Sequence, residues 1–201
     1  WLPYQKSDLS VDSEVLKIIY TGRLFPPTFN SLIDLCEVVD RFNRNGTVIY
    51  LHIYTHDKNE KFNTAIKEIR GVAQYNPVDV EEIPQLIAKY DIFFMCLDFD
   101  TRALKYSQFS ISTRTSEGMI SGVPILIYAP QTTALSKYFA KAEAGFVVGD
   151  KDKAKLEKGI LKLWQDIDCR QRLSSNAIRT ALSDSNSINI RENFRKALND
   201  I

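Results

Sequence analysis

No apolar run in this 201-residue sequence is long enough to cross a membrane. The nearest candidate, "DIFFMCL" at 91–97, is a strand's length against the roughly 18 residues a span needs. Charge of one sign is also missing. Against 26 Lys and Arg stand 25 Asp and Glu, interspersed, so the net charge is +1 and no basic field points to a nucleic-acid partner. Cysteine is scarce: Cys36, Cys96 and Cys169 are far apart and odd in number. They read as free thiols in a reducing compartment, which predicts a cytoplasmic protein. Cys36 and Cys96 sit within apolar patterns and are expected to be buried. The eight glycines form neither G-x-G-x-x-G nor G-x-x-x-x-G-K-[ST]. The dinucleotide fingerprint and the P-loop are therefore absent. So are a G-x-S-x-G elbow and a Ser-His-Asp order. The two histidines, His52 and His56, fall on or just past a strand. At strand rise they stand roughly 13 Å apart, too far for one zinc ion without a sharp bend. The opening residues do not read as a signal peptide. It opens Trp1-Leu2-Pro3 and reads as cut from a longer protein.

What is present is an ordinary globular composition, 44% hydrophobic, in a chain long enough for one well-cored domain. "LKIIYTGRL" at 16–24 reads as a buried strand leaving into a loop. In the next segment Leu32, Leu35, Cys36, Val39 and Phe42 recur at helical spacing, and Asn45-Gly46 stops the helix. "TVIYLHIYT" is a second strand, a helix over about 59–69 follows, and "GVAQY" is a short third strand. A proline-bearing helix at 78–90 leads to "DIFFMCLDF" (91–99), a fourth strand with almost no polar alternation. The stretch from Asp100 to Ser112 looks irregular, and a helix is expected over Thr113–Ser121. "VPILIYAP", "TTALSKYFAKAEA" and "GFVVGD" supply strand, helix and strand, and a helical, charge-rich tail breaks at "SDSNS". The lysines at 151, 153, 155, 158 and 162 read as a solvated helix face. Strands that are continuous apolar runs, alternating with helices, predict an α/β fold: a doubly wound, Rossmann-like parallel sheet of about six strands with helices on both faces. The expected organisation is a leading segment at 1–14, the sheet domain at 15–182 and a closing C-terminal helix at 183–201.

In such a sheet ligands bind beyond the carboxyl ends of the strands, where the winding reverses. Candidate residues therefore follow strands one and four and precede the 113–121 helix: Gly22-Arg23 and the region 107–117. Glu117 has a plain reading as a carboxylate favoured by the helix dipole. A capping box does not explain it, because three after Ser112 is Thr115 and three after Thr113 is Ser116. The alternative is an acceptor for paired hydroxyls such as those of a ribose, with backbone N–H groups at Ser112–Arg114 and the Arg114 fork suited to phosphate. Gly122 and Pro124 end the helix. Asp98-x-Asp100 has the form of a nucleotide-metal pair, but aspartates also commonly end parallel strands.

The segment "STRTSEGMISGVPIL" (112–126) resembles S-T-K-x-x-E-Y-x-A-S-G-x-P-I-L of the C-terminal, nucleotide-sugar-binding domain of GT-B glycosyltransferases, and most of all the retaining family 4 type. "IIYTGRL", "IPQLIAKYDIFFMCL" and the run from Tyr128 to Asp166 are similar to further segments of that domain, in the same order, over about 16–182. The resemblance implies that Glu117 accepts from the donor ribose and that Arg114 lies by the phosphates. It also implies that Gly22-Arg23 contacts the pyrophosphate and that the loop Ile111, Ser112, Thr113 faces the donor. It implies no cofactor, no obligatory metal and no identified catalytic residue in this chain. The partners implied are a nucleotide diphosphate sugar donor and a saccharide or lipid-linked acceptor, the latter held by a missing N-terminal domain. The chain alone is then expected to be inactive, and the full-length protein to be cytoplasmic or peripheral at the membrane, in polysaccharide or glycoconjugate biosynthesis. Three positions depart from the pattern: Phe29 stands for a lysine, Phe109 for an acid and Gly118 for a bulkier residue. A nucleotide-sugar epimerase of the same fold and a non-catalytic interaction module remain as alternatives. The base, the sugar and the linkage stay open.

Overall fold

The computed structural model describes residues 14–24, 26–185 and 187–199. Six parallel strands, β1 (Val15–Thr21), β2 (Val48–Tyr54), β3 (Val72–Tyr75), β4 (Ile92–Cys96), β5 (Ile125–Tyr128) and β6 (Phe146–Val148), form one sheet in the order β3-β2-β1-β4-β5-β6. The doubly wound layout is thus observed. β4 lies in the middle of the sheet and every one of its residues is buried, which is why its sequence shows no alternation.

Helices α1 (Phe29–Arg44), α2 (Glu60–Ile66) and α7 (Lys153–Gln165) cover one face, burying Leu32, Leu35, Val39, Phe62, Leu156 and Ile160 against the strands. The other face takes α3 (Ile83–Ile87), α5 (Arg114–Ile120) and α6 (Ala134–Ala142), through Ile87, Met119, Leu135 and Phe139. Helix α8 (Ile167–Asp184) crosses between them: Cys169 and Leu173 join the first core, Ala177 and Ala181 the second. All three cysteines are buried and free.

The two halves of the sheet are joined unevenly. β1 pairs with β2 over its full length, from Val15↔Val48 to Thr21↔Tyr54. It pairs with β4 only at Ile18↔Ile92 and Ile19↔Phe93. Side chains and backbone reinforce this short join: the Asp91 carboxylate accepts from the Lys17 amide at 2.9 Å, and the Asp91 amide donates to the Lys17 carbonyl at 2.8 Å.

Helix ends follow local chemistry. Gly46 and Gly122 take φ of +87° and +75° after α1 and α5, the left-handed stop that glycine permits. The stretch after Asp100 is a helix, α4 (Thr101–Ser107), rather than irregular chain: the Asp100 carboxylate accepts from the Ala103 amide at 2.9 Å and starts it. The helical tail is divided at Asp166, which ends α7 and caps α8 by accepting from the Cys169 amide at 2.8 Å. Beyond the turn at Ser185, α9 (Ser187–Asn199) leaves Ile190, Phe194 and Leu198 exposed. The expected leading segment lies, apart from Glu14, outside the described residues.

Candidate functional site

β1 and β4 are neighbours, but the chain leaves them toward opposite faces. Their carboxyl ends therefore part, and a cavity of about 1100 Å³ opens there, the position at which doubly wound sheets hold ligands. Tyr20–Arg23 form one lip, and Tyr106 with Ser110–Arg114 the other. Phe93–Asp98 line the space between, and Pro77, Val78 and Leu86 give it an apolar rim.

The first lip is shaped by Gly22. Its φ is +155°, and a Cβ there would lie 3.0 Å from the Tyr20 hydroxyl. That hydroxyl donates to the Arg23 carbonyl at 2.8 Å, and the Thr28 hydroxyl donates to the same oxygen at 3.0 Å. Burial pushes the Tyr20 phenol far up, so it keeps its proton and its role as donor. The Arg23 side chain is 70% exposed and reaches the Asp57 carboxylate at 3.3 Å, whose other oxygen accepts from the Leu24 amide at 2.6 Å.

The start of α1 would ordinarily be the place for an anion. Here the protein's own carboxylate takes it. Asp98, 1% exposed, accepts from the Asn30 amide (3.2 Å), the Asn30 side chain (3.1 Å) and the Ser31 amide (2.7 Å). Asp98 and Asp100 therefore serve the starts of α1 and α4 respectively, which accounts for the pair without a cation. Burial, followed by the nearby Asp98 carboxylate, pushes the Cys96 thiol well up. Among the described residues no group of three His, Cys, Asp or Glu is placed to hold a metal ion.

On the second lip the Ser112 hydroxyl accepts from the Arg114 amide at 3.2 Å, and the Ser112 carbonyl from the Thr115 amide at 3.0 Å. One loop amide expected to face a phosphate, that of Arg114, is thereby engaged within the chain. Arg114 Nη1 reaches both oxygens of Glu117, at 3.0 and 2.8 Å. Glu117 is buried to 8% exposure, and the next residue, Gly118, packs directly on the Phe93 ring.

Of the residues read from the sequence, Gly22, Arg23, Ile111, Ser112, Thr113 and Arg114 all line this one cavity. Glu117 is not on the wall; it lies beneath the Arg114 guanidinium. The carboxylate that the capping rules left unexplained thus has a local partner three residues back, an i,i+3 pair that spacing makes legible. Sequence reasoning missed Asp57 and Tyr20, which no motif marks. Phe29, in place of the lysine, packs edge-on to Phe62 with ring centroids 5.7 Å apart, whereas Phe109 is 88% exposed. His52 donates to or accepts from the Tyr90 hydroxyl at 2.8 Å, while His56 lines the cavity.

A family model described as glycosyl transferases group 1 matches residues 16–166. No curated protein matches the chain. Among solved structures, Anabaena HepE in complex with UDP-glucose is similar at 14% identity and a TM-score of 0.70, over 94% of this chain and 50% of that one. TarM from S. aureus, in a complex that includes UDP, is 14% identical with a TM-score of 0.67, over 93% and 36%. WaaG, a glycosyltransferase involved in lipopolysaccharide biosynthesis, is 16% identical with a TM-score of 0.61, over 85% and 43%. The chain spans half or less of the length of each of these three structures.

Proposed function

The chain belongs to the group 1 glycosyltransferases, and from that premise we propose that its cavity seats a nucleotide diphosphate sugar, donor for glycosyl transfer to a saccharide or lipid-linked acceptor. The observation that carries this reading is the pair of arginines, Arg23 and Arg114, on opposite lips of one cavity at the switch point of the sheet. Two forked cations there match a diphosphate. The UDP and UDP-glucose in the TarM and HepE structures are consistent with such a ligand.

In this reading Arg23 and Arg114 stabilise the charge that develops on the departing diphosphate. Glu117 accepts from the ribose hydroxyls, and the backbone at Ile111, Ser112 and Thr113 faces the donor across from Gly22. Neither a metal nor a cofactor has a part in it. The α1 start contributes nothing to the phosphates, because Asp98 fills it. The acceptor is held by a further domain that faces the lips, and turnover requires the cleft between the two. The biological setting is synthesis of a polysaccharide or glycoconjugate in the cytoplasm, at or near the membrane.

Calorimetric titration of the chain with UDP and with GDP tests the assignment. The expected result is binding of one nucleotide, weakened in Glu117→Ala by about 1–3 kcal/mol, the scale of a lost charged acceptor. Binding that the substitution leaves unchanged removes Glu117 from the site. No binding of either nucleotide at millimolar concentration removes independent binding of these two nucleotides by the chain, and leaves either a donor site completed by the partner domain or the interaction module.

A further inference from the structure

The two arginines on the lips are held very differently. Arg23 meets Asp57 at 3.3 Å from a largely exposed position. The Arg114 side chain is 26% exposed and spans both oxygens of a Glu117 side chain that is 10% exposed. Among the described residues Arg114 is the one hydrogen-bond partner of the Glu117 carboxylate. The arginine faces the cavity and the carboxylate does not.

That arrangement sets a condition on ligand binding. A nearly buried carboxylate with a single cationic partner cannot lose that partner without replacement. Ribose hydroxyls can donate to the carboxylate but carry no charge, so they do not replace the ion-pair attraction that the guanidinium supplies to it. A nucleoside by itself therefore leaves Arg114 where it is. A diphosphate offers the guanidinium a second anion, with oxygens spaced for a two-nitrogen fork where Glu117 is met by Nη1 alone. When Arg114 turns to it, both Glu117 oxygens come free and the hydroxyls replace the lost donors.

Resting on the reading of the cavity as a nucleotide diphosphate site, we infer that Arg114 is a latch over Glu117, so that the sugar-binding carboxylate becomes available only to ligands that also carry an anionic diphosphate. Arg114 is then a specificity-determining residue as well as a phosphate contact. The site reads nucleoside and diphosphate as one unit, and free nucleosides, which share the base and the ribose, are excluded.

Six titrations decide it. Wild type and Arg114→Ala are each titrated with the nucleoside diphosphate that binds and with its parent nucleoside. The latch predicts that Arg114→Ala weakens the diphosphate by about tenfold or more and tightens the nucleoside severalfold, because Glu117 no longer has to be released. A plain phosphate contact weakens the diphosphate and leaves the nucleoside unchanged, and that result overturns the latch. Because Arg114→Ala strips a buried carboxylate of its partner, Glu117→Gln serves as the second variant, with inorganic pyrophosphate as the ligand. Pyrophosphate has no ribose, so a freed Arg114 is expected to bind it severalfold more tightly than in wild type. Equal or absent binding in both proteins overturns the inference. If wild type binds the nucleoside diphosphate and these shifts fail to appear, the cavity assignment stands and the latch falls. If wild type binds no diphosphate, both fall.

Discussion

Gly118→Ala is the smallest change that tests the packing beneath the proposed site. A Cβ at residue 118 would lie 2.3 Å from Cε1 and 2.4 Å from Cδ1 of Phe93, far inside the carbon–carbon optimum of about 3.5–4.0 Å. The Phe93 ring is fully buried on β4, between the Ile19 and Ile125 positions of the neighbouring strands, so it has little room to yield. Two effects oppose each other. Alanine in a helix is favoured over glycine by about 1 kcal/mol, and overpacking a core costs about 1–3 kcal/mol. With two ring carbons struck at once the cost falls in the upper part of that range, about 2–3 kcal/mol, and a net loss of about 1–2 kcal/mol is expected. For a protein of this size that lowers Tm by about 2–8 °C. Thermal unfolding followed by circular dichroism measures it. Phe93→Leu destabilises on its own, but in the Gly118→Ala background it should cost less, with a coupling of about 0.5 kcal/mol or more. A Gly118→Ala protein that melts at or above the parent temperature would refute the contact, since helix propensity alone would then decide.

Two further outcomes follow from the geometry. Asp98→Ala removes the acceptor for three donors at the start of α1, and urea unfolding should show a loss of about 2–3 kcal/mol, partly restored in Asp98→Asn; an unchanged midpoint contradicts the cap. His52 is pushed below its ordinary value of 6.5, chiefly by burial and secondarily by Lys17. The unfolded chain therefore takes up this proton first as pH falls, so the contribution of His52 is complete above about 6.5 and declines from there toward the folded value. Urea midpoints compared between pH 7.5 and 5.5 should fall more for the parent than for His52→Gln, and equal falls would remove His52 as the cause.

The sequence carried the sheet well, because its signal is repeated. Apolar runs such as 18–20 and 92–96, alternating with amphipathic helices, are the mark of strands covered on both faces of a parallel sheet, and the glycines at 46 and 122 stop helices by a strictly local rule. Most of the cavity's lips were legible for the same reason, since topology alone sends residues 22–23 and 107–117 to one end of the sheet. What escaped was short or distant. Helix α4 has seven residues, too few for periodicity to speak, and its one clear mark was the Asp100 cap. The break at Asp166 carries neither glycine nor proline. Asp57 meets Arg23 across thirty-four positions, and Asp98 meets α1 across sixty-seven and sixty-eight, distances at which one sequence says nothing. Glu117 is the instructive case: its partner stood three residues away, yet weighing only caps and ligands left the ion pair unread.

The short ladder between β1 and β4 bears on how the molecule opens. With strand pairing confined to Ile18↔Ile92 and Ile19↔Phe93, the β1-β2-β3 and β4-β5-β6 halves meet along the shortest ladder of the sheet and are held together mainly by the two cores that run across both. Amide exchange at so short a ladder is expected to report a smaller free energy than exchange within either half. The cavity lies at the carboxyl end of this ladder, with one lip on each side. A molecule touching both lips fastens the two halves to each other, so its binding is expected to slow exchange along β4 and β1 more than at the sheet's outer edges. Occupancy of the site is in that sense a structural bond between the halves of the fold.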